Sequence, residues 1–458
     1  MRDGSLIGPL LAAALGLVLG GCAQSHVATA DCGLGLGGAP TCDPGALRAA
    51  LASARPGDVV RIGACTVPGP LDVPPDVTLV GSGRAASHVT AGVDGAIRVQ
   101  GGASRTRVTC LGIDEAAGSA AIRADGPGNV VLDALEVHVE RGVGIQALDL
   151  ATLSVDDVRL EGPVTRDNAA DFPSTPTAME TATVGISIAR IENATISGLE
   201  VTGFADFAIG VSESSSTWRA TEVHDTLGTA MAVSGGFATI EDAAIHDVLG
   251  GARLLPAYGL VIAMEATVGT TGMAIERSEG YGVLQDSSTA THQSLSVIGC
   301  GEAGVWAQRS SSFVLDGADL RQNGGAGIAL FEVDRARLSG ASISGTQMRP
   351  RVCELRAGQV GDGLQMRAVP DAQISMLTSR DNARVGVLLQ VLADGSALPT
   401  FTRVAVGGTG MQLGAVAVDS RGHVVSPDGW DDGIVREGVT ATNDAIAIGT
   451  TVGPPCAM

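Results

Sequence analysis

The sequence predicts an all-β protein, a right-handed parallel β-helix solenoid of about 12–13 coils with a short N-terminal capping helix. Two observations lead to this prediction: a short motif recurs along the chain, and its apolar residues alternate with other residues. The motif begins with a small residue and repeats at intervals of 22 or 23 residues, with one interval of 29, at Gly185, Ala208, Ala230, Gly259, Gly282, Gly304 and Gly327. Self-similarity at a fixed period of this length is typical of a solenoid.

The alternation within each repeat indicates strands rather than helices. Motifs such as Gly185-Ile186-x-Ile188 place apolar residues two positions apart. A second apolar pair follows at a spacing of five, which would put its members on opposite faces of one straight strand, so the chain must bend between them. These pairs include Leu132/Val137, Val155/Leu160, Ile196/Val201, Ile240/Ile245, Leu315/Leu320 and Leu338/Ile343. Each repeat is therefore expected to form one coil of two or three strands, with neighbouring coils about 4.8 Å apart.

This pattern resembles the right-handed parallel β-helix repeats of the pectate-lyase-like superfamily. The resemblance covers roughly residues 56–425 and implies the fold. It does not imply one activity, because this fold carries lyases, hydrolases, epimerases, adhesins and inert spikes.

The first 22 residues resemble a bacterial lipoprotein signal peptide. The apolar run Leu6–Leu19 is too short for an ordinary membrane helix, and Leu19-Gly20-Gly21-Cys22 resembles a lipobox. The resemblance implies cleavage before Cys22 and lipidation of its thiol. With Ala23 as the next residue it also implies sorting to the outer membrane or cell surface. Residues 23–42 are rich in Gly, Ala and Ser and are predicted to form a flexible tether.

The folded part is predicted to be one elongated domain over residues 43–425, closed at its far end by residues 426–458. Asp43 before Pro44 favours a helix start, since Asp caps the first turn and Pro suits its first position. Leu47 and Leu51 would then face the core from a helix that ends near residue 54. Such a helix would cover the open end of the first coil.

Composition restricts the partners of this protein. The net charge is −20, which excludes nucleic acid and other polyanions as expected partners. Eight cysteines are present in an exported chain where disulfides can form. With Cys22 assigned to the lipid, Cys32 and Cys42 are the favoured disulfide pair, Cys65 and Cys110 are candidates for a bridge between early coils, and the connectivity as a whole stays open. No cysteine or histidine spacing is typical of a zinc site, so neither a metal ion nor a cofactor is expected.

Polar residues that follow the second apolar pair define the candidate site. His224-Asp225 and His246-Asp247 are 22 residues apart and should stack on neighbouring coils, with Glu276 next along the rod. Histidines beside carboxylates can act as general acid and base. Insertions leave the coil at the same turn, near residues 163–183, 250–257 and 346–361. Four arginines in these insertions are expected to bind an anionic sugar, namely Arg166, Arg253, Arg349 and Arg351.

Three functions remain open from the sequence. The leading hypothesis is a lipid-anchored surface protein that binds glycan or another envelope component, without catalysis, through the edge that carries the insertions. The alternative is a polysaccharide lyase, glycoside hydrolase or epimerase that uses His224 and His246, with Asp225, Asp247 and Glu276 tuning them. A structural spike without a ligand is the third. Solvated turns collect polar residues and tolerate insertions, which keeps the last possibility open.

Overall fold

The computed structural model of this 458-residue chain describes residues 32, 39–92, 94–115, 120–165, 183–250, 257–350, 359–390, 397–408, 413–418, 424–425, 428–429 and 431–437. The described part contains one α-helix, α1 (Pro44–Ser53), and otherwise consists of strands and turns. The strands of the first third are β1 (Val59–Arg61), β2 (Thr66–Pro68), β3 (Leu71–Val73), β4 (Thr78–Val80), β5 (His88–Thr90), β6 (Ile97–Gln100), β7 (Thr106–Glu115), β8 (Ala120–Asp125), β9 (Asn129–Val139), β10 (Gly142–Leu148) and β11 (Thr152–Glu161).

The rest of the chain repeats the same arrangement. Its central strands are β12 (Thr183–Ala189), β13 (Asn193–Thr202), β14 (Phe207–Arg219), β15 (Glu222–Leu227), β16 (Thr229–Glu241), β17 (Ala244–Leu249), β18 (Tyr258–Ala263), β19 (Thr267–Thr271), β20 (Ala274–Ser278), β21 (Tyr281–Asp286), β22 (Thr289–Ile298), β23 (Ala303–Gln308), β24 (Ser312–Arg321), β25 (Gly325–Phe331) and β26 (Arg335–Ser344). Its last strands are β27 (Arg349–Pro350), β28 (Gln359–Arg367), β29 (Asp371–Ser375), β30 (Thr378–Arg380), β31 (Val385–Gln390), β32 (Thr400–Thr402), β33 (Val404–Gly407), β34 (Leu413–Val418), β35 (Val424–Val425) and β36 (Ile434–Glu437).

Parallel pairing between successive coils builds three faces along the rod. Sheet 1 consists of β3, β6, β8, β10, β12, β14, β16, β18, β21, β23, β25, β28, β31 and β34. Sheet 2 consists of β1, β4, β7, β9, β11, β13, the second halves of β14 and β16, β19, β22, β24, β26, β29 and β32. Sheet 3 consists of β2 and β5, the second halves of β7, β9, β11 and β13, then β15, β17, β20, the second halves of β22, β24 and β26, and β30, β33 and β36.

This arrangement confirms the predicted parallel β-helix and its bend between the paired apolar positions. Ala134 and Asp242 lie between such pairs and adopt left-handed backbone conformations, with φ of 51° and 52°. Sheet 1 has fourteen strands in the described residues, against the 12–13 coils predicted. Sheet 3 also continues past residue 425, since β36 pairs with β33.

The core is a continuous stack of apolar side chains inside the coils, closed at the N-terminal end by α1. Asp43 caps this helix through its Oδ1, which accepts a hydrogen bond of 2.6 Å from the Ala46 N–H. Leu47 and Leu51 are buried and join the core, as predicted. No helix in the described part of the chain has the length and apolar composition that crossing a membrane requires.

The small-residue column of sheet 1 is needed for close packing between coils. Gly282 and Gly304 do not have positive φ, so they are not present to permit a turn. A Cβ on Gly282 would lie 2.5 Å from the Gly304 carbonyl oxygen, and one on Gly304 would lie 2.7 Å from the Gly327 oxygen. The column therefore lets adjacent coils approach each other.

All four cysteines predicted to form disulfides do so, but the predicted pairing was wrong. Cys32 is bonded to Cys110, and Cys42 is bonded to Cys65. Each cysteine before the helix is thus bonded to a cysteine of an early coil rather than to its neighbour in sequence. Cys300 is a free thiol inside the rod, where burial raises its pKa to about 12.

Candidate functional site

The outer face of sheet 3 carries the polar column that the sequence predicted. The register aligns Asp114, His138, Glu161, Thr202, His224, His246 and Glu276 on successive coils. A second column lies two residues earlier on the same face and contains Glu136, Arg159, Glu200 and Glu222. We call these two columns together the histidine–carboxylate face. Side chains two residues apart on a strand project from the same side, which explains why the columns are neighbours.

His224 and His246 are stacked, as predicted. Their ring centroids are 5.1 Å apart and the ring planes are inclined by 8°. The Nδ1 atom of His224 lies 2.9 Å from the Asp225 carboxylate, and that of His246 lies 3.0 Å from Asp247. Both aspartates have positive φ, 49° and 55°, and this turn conformation folds each carboxylate back onto the preceding ring.

The other ring nitrogens also face carboxylates. The Nε2 atom of His224 is 3.5 Å from Glu200, and that of His246 is 3.3 Å from Glu222. Each imidazole therefore has a carboxylate beside both of its nitrogens. Neither nitrogen projects freely toward a bound molecule, so a general base would first have to break one of these contacts.

Glu276 lies next in the column but is tied to an arginine. The Arg277 guanidinium contacts Glu276 at 2.8 Å and Asp247 at 2.8 and 2.9 Å. Its hydrogen bonds to Asp247 raise the pKa of Arg277. The predicted catalytic set thus forms two ion-paired groups on the surface of sheet 3, which we call the stacked network because the rings of His224 and His246 join them.

Of the four predicted binding arginines, Arg349 alone belongs to the described residues. Arg166, Arg253 and Arg351 lie outside them, as does the predicted lipidation site Cys22. Arg349 belongs to β27, which pairs antiparallel with the start of β28. The three insertions do fall between a strand of sheet 3 and the next strand of sheet 1, as expected.

The outer face of sheet 1 holds a cleft of about 770 Å³ at the N-terminal end of the rod. Arg98 and Arg123 line it from neighbouring coils and are paired in register. The remaining lining comes from α1, from the following turns and from strands of sheet 1, namely Leu51, Ala52, Asp72, Val73, Pro74, Asp94, Gln100, Ala120, Asp125, Val143 and Gln146. This volume lies in the range of small-molecule and oligosaccharide-sized sites.

Arg98 and Arg123 keep hydrogen-bonding capacity in the cleft. Arg98 approaches Asp72 at 3.9 Å and Asp94 at 3.6 Å, both longer than hydrogen bonds. Arg123 donates from Nε to Asp125 at 2.9 Å. A guanidinium has five N–H donors, so both arginines can donate to another molecule without losing these partners.

Farther along the same face, the polar residues give way to a buried aromatic ladder. Tyr258 and Tyr281 stack with ring centroids 5.6 Å apart, Tyr281 contacts Trp306 edge-on at 5.8 Å, and Trp306 stacks on Phe331 at 4.7 Å. These side chains form a hydrophobic cluster separate from the core, and burial raises the pKa of Tyr258 to about 12. Sheet 1 is thus polar and open near α1 and apolar and covered from β18 onward.

A family model agrees with the register. The model described as a right handed beta helix region matches residues 184–343. The protein is a right-handed parallel β-helix.

Several solved structures resemble this β-helix at low identity. One is the catalytic domain of a GH87 alpha-1,3-glucanase in complex with nigerose (11% identity, TM-score 0.42), and the match covers 83% of this chain and 64% of that chain. A second is the catalytic unit of a GH87 alpha-1,3-glucanase from Streptomyces thermodiastaticus (13%, TM-score 0.40, 88% and 67%). A third is the A-module of a mannuronan C-5 epimerase from Azotobacter vinelandii (16%, TM-score 0.41, 80% and 97%). The chain thus spans less than two thirds of the first glucanase domain, and a comparison with curated proteins gives no match.

Sequence reasoning missed both features of sheet 1, although the repeat contains a signal for them. The unassigned position of the motif, such as Ser187 in Gly185-Ile186-x-Ile188, points outward from sheet 1. In the register this position is polar in the first coils and becomes apolar from Val261 through Leu284 to Trp306. Strands that are apolar on both faces are typical of buried sheets. The part of the cleft that α1 lines has no such signal in the sequence, because it depends on how the helix packs against the first coils.

Proposed function

We propose that this protein is a lipid-anchored surface β-helix that binds a glycan without converting it. The cleft beside α1 is the observation that carries the proposal. Attachment through Cys22 would hold the N-terminal end of the rod, and hence the cleft, near the membrane. The histidine–carboxylate face supports catalysis less well, because a carboxylate lies beside each ring nitrogen of His224 and His246.

The chemistry of the cleft favours a neutral glycan. Two guanidinium groups and three carboxylates face it, so it has donors and acceptors in similar number and no excess of positive charge. Sugar hydroxyls both donate and accept hydrogen bonds, which matches such a mixed lining. A polyanion would meet the carboxylates and the overall charge of −20.

Apolar atoms complete the lining. Leu51 of α1, Pro74 and Val143 contribute to the wall, which gives the C–H surface of a sugar ring an apolar contact. Ligand sites commonly combine such surface with a few placed polar groups.

Binding and turnover should be measured together on the purified chain with a panel of neutral and acidic polysaccharides. We expect saturable binding of a neutral member, no new reducing ends and no unsaturated uronates. In the Arg98→Ala/Arg123→Ala variant the affinity should fall by at least about tenfold, since a hydrogen bond to a charged group contributes roughly 1.5–3 kcal/mol. Arg219→Ala is the matched control, because Arg219 is an exposed arginine on sheet 2 that pairs with Glu241 at 2.8 Å.

Other outcomes identify the competing functions. Turnover that disappears in His224→Ala/His246→Ala would replace this proposal with an enzyme acting on the histidine–carboxylate face. Absence of both binding and turnover would favour a spike. Membrane fractionation tests the anchor separately: Cys22→Ala should move the protein out of the membrane fraction, and unchanged fractionation would contradict lipidation.

A further inference from the structure

We propose that Glu136, His138 and Glu161 form a binding site for a divalent transition-metal ion such as Zn²⁺. The site lies on the histidine–carboxylate face, several coils before the stacked pair of histidines. It is independent of glycan binding in the cleft.

Rigid strands place the three side chains together. Glu136 and His138 are two residues apart on β9 and therefore project from the same side. Glu161 lies opposite His138 in the register of β11 with β9. One ligand atom from each residue lies within 4.8 Å of the others. A site on paired strands holds its ligands more precisely than one on loops.

The donor set suits a borderline metal ion. One imidazole and two carboxylates are ligands for Zn²⁺ and similar first-row ions, at metal–ligand distances of about 2.0–2.2 Å. In a tetrahedral site such ligand atoms are about 3.4 Å apart. An imidazole gives a single metal ion one of its nitrogens, and one such nitrogen of His138 lies within 4.8 Å of an oxygen from each glutamate, so small side-chain rotations would bring the three ligand atoms to this spacing. All three side chains are between 32% and 45% exposed, so they can adjust and solvent can complete the coordination.

The contrast with the other histidines on this face points to a ligand rather than to internal pairing. In His224 and His246, Nδ1 lies at a hydrogen-bond distance of 2.9 or 3.0 Å from the carboxylate of the aspartate that follows in sequence, which accepts the bond. His138 is followed by Val139, whose side chain is buried, and so lacks this partner. Its two glutamate neighbours lie at 3.3 and 3.6 Å, like the glutamates beside the Nε2 atoms of His224 and His246, so what His138 lacks is the shorter contact of 2.9–3.0 Å that the aspartates provide.

The arginine in register with Glu136 contacts a carboxylate of the next coil. Arg159 is paired in register with Glu136, but its Nε atom lies 3.6 Å from Glu200, on the next coil. On the other side of His138, the register places Asp114, which lies 3.4 Å from His88. Carboxylates thus outnumber cations around His138, and the net charge of −20 further favours a bound cation.

Titration of the untagged full chain with ZnCl₂ tests the proposal. We expect Zn²⁺ binding that weakens at least tenfold in His138→Ala and in Glu161→Gln, which removes one ligand charge with little change in shape. His246→Ala is the matched control, because His246 is an imidazole between two carboxylates on the same face, and it should leave the affinity unchanged. Circular dichroism of each variant verifies that the exposed substitution has not unfolded the rod.

CaCl₂ provides a test of the metal class. Ca²⁺ takes six to eight oxygen ligands, which two glutamates and an imidazole do not supply, so no binding is expected at concentrations that saturate the site with Zn²⁺. Several results would overturn the proposal. These are absence of Zn²⁺ binding, affinity unchanged by His138→Ala, an equal loss in His246→Ala, or preference for Ca²⁺.

Discussion

A fall in pH from 7 to 4 should destabilise this protein through one buried histidine, His292. Its ring lies inside the coil with no exposed surface and contacts Phe313 at a centroid distance of 5.7 Å. The Nδ1 atom shares a 2.9 Å hydrogen bond with the Thr270 hydroxyl, while Nε2 has no partner in the structure. Burial without a counter-charge lowers the pKa of His292 from 6.5 to about 4.

The sign of the effect follows from proton uptake. Above pH 6.5 the ring is neutral in both the folded and unfolded states, so it does not affect the pH dependence. Below pH 6.5 the unfolded state binds a proton that the folded state does not bind, and the free energy of unfolding falls until pH reaches about 4. A difference of about 2.5 pKa units corresponds to roughly 3 kcal/mol. This is a large part of the 5–15 kcal/mol that typically stabilises a protein.

Carboxylate titration contributes in a lower pH range. Hydrogen bonds from Arg190 and Arg337 lower the pKa values of Asp149 and Asp371 from 3.8. A carboxylate with a lowered pKa stabilises the fold above its unfolded pKa and loses this effect as pH falls through its folded pKa. The loss from these groups therefore comes below about pH 4, after that from His292.

The Thr270→Val/His292→Leu variant isolates the contribution of His292. The two residues belong to an interior column whose other members are apolar, so Val and Leu suit their surroundings; this column runs through Ile240, Thr270, His292, Leu315 and Leu338. Replacing both partners leaves no unpaired hydroxyl, and stability at pH 7 should change little. Urea unfolding at pH 7, 5.5 and 4 should show the wild type losing about 3 kcal/mol more than the variant.

An equal loss in both proteins would refute the argument. A direct check is the NMR titration of His292 itself, whose ring signals should not shift until the pH approaches 4. If the His292 signals shifted near pH 6.5 instead, water would have access to the ring, and the argument from burial would be wrong.

Three further predictions concern packing. Gly282→Val should destabilise the rod by about 1–3 kcal/mol, because its Cβ would lie 2.4 Å from the Val297 side chain. Gly269→Ala is the control and should be neutral or slightly stabilising, since a Cβ there meets nothing within 4 Å. Thermal unfolding of the two variants and the wild type measures the difference. Arg384→Met should cost about 3–5 kcal/mol in urea unfolding, because it leaves the buried carboxylate of Asp362 without its cation. Leu47→Ala should cost about 2–5 kcal/mol by opening a cavity under the cap, measured in the same way.

The sequence predicts most of the fold because one period governs it. Once the paired apolar positions were aligned, the register of sheet 3 followed, and His224 indeed lies opposite His246. The disulfide pairing could not be predicted from the repeat. Cys32 bonds to Cys110 across 78 residues, and that connection depends on the path of a tether that has no repeat. Sequence proximity is a poor guide where the chain carries no periodic pattern.

The candidate site was predictable only where the repeat alone positions it. The stack of His224 on His246 needs nothing beyond register and spacing. The cleft needs α1 to pack beside sheet 1, so Arg98 and Arg123 could not be grouped with Leu51 from the pattern. The insertions add the same difficulty, because their length is visible in the sequence but their path is not.

The residue that follows each histidine explains why the histidine–carboxylate face contains both closed ion pairs and a candidate metal site. At His246 the next residue, Asp247, adopts a left-handed turn and hydrogen-bonds the ring, which closes the cluster. At His138 the next residue is Val139, which is buried, so the ring is left between glutamates from its own strand and the next coil. The register makes these positions equivalent, yet the turn residue decides whether the imidazole is internally satisfied or available to an ion. A His-Asp dipeptide on such a face therefore indicates a closed ion pair, and a His-Val dipeptide flanked by carboxylates indicates the better candidate for a ligand site.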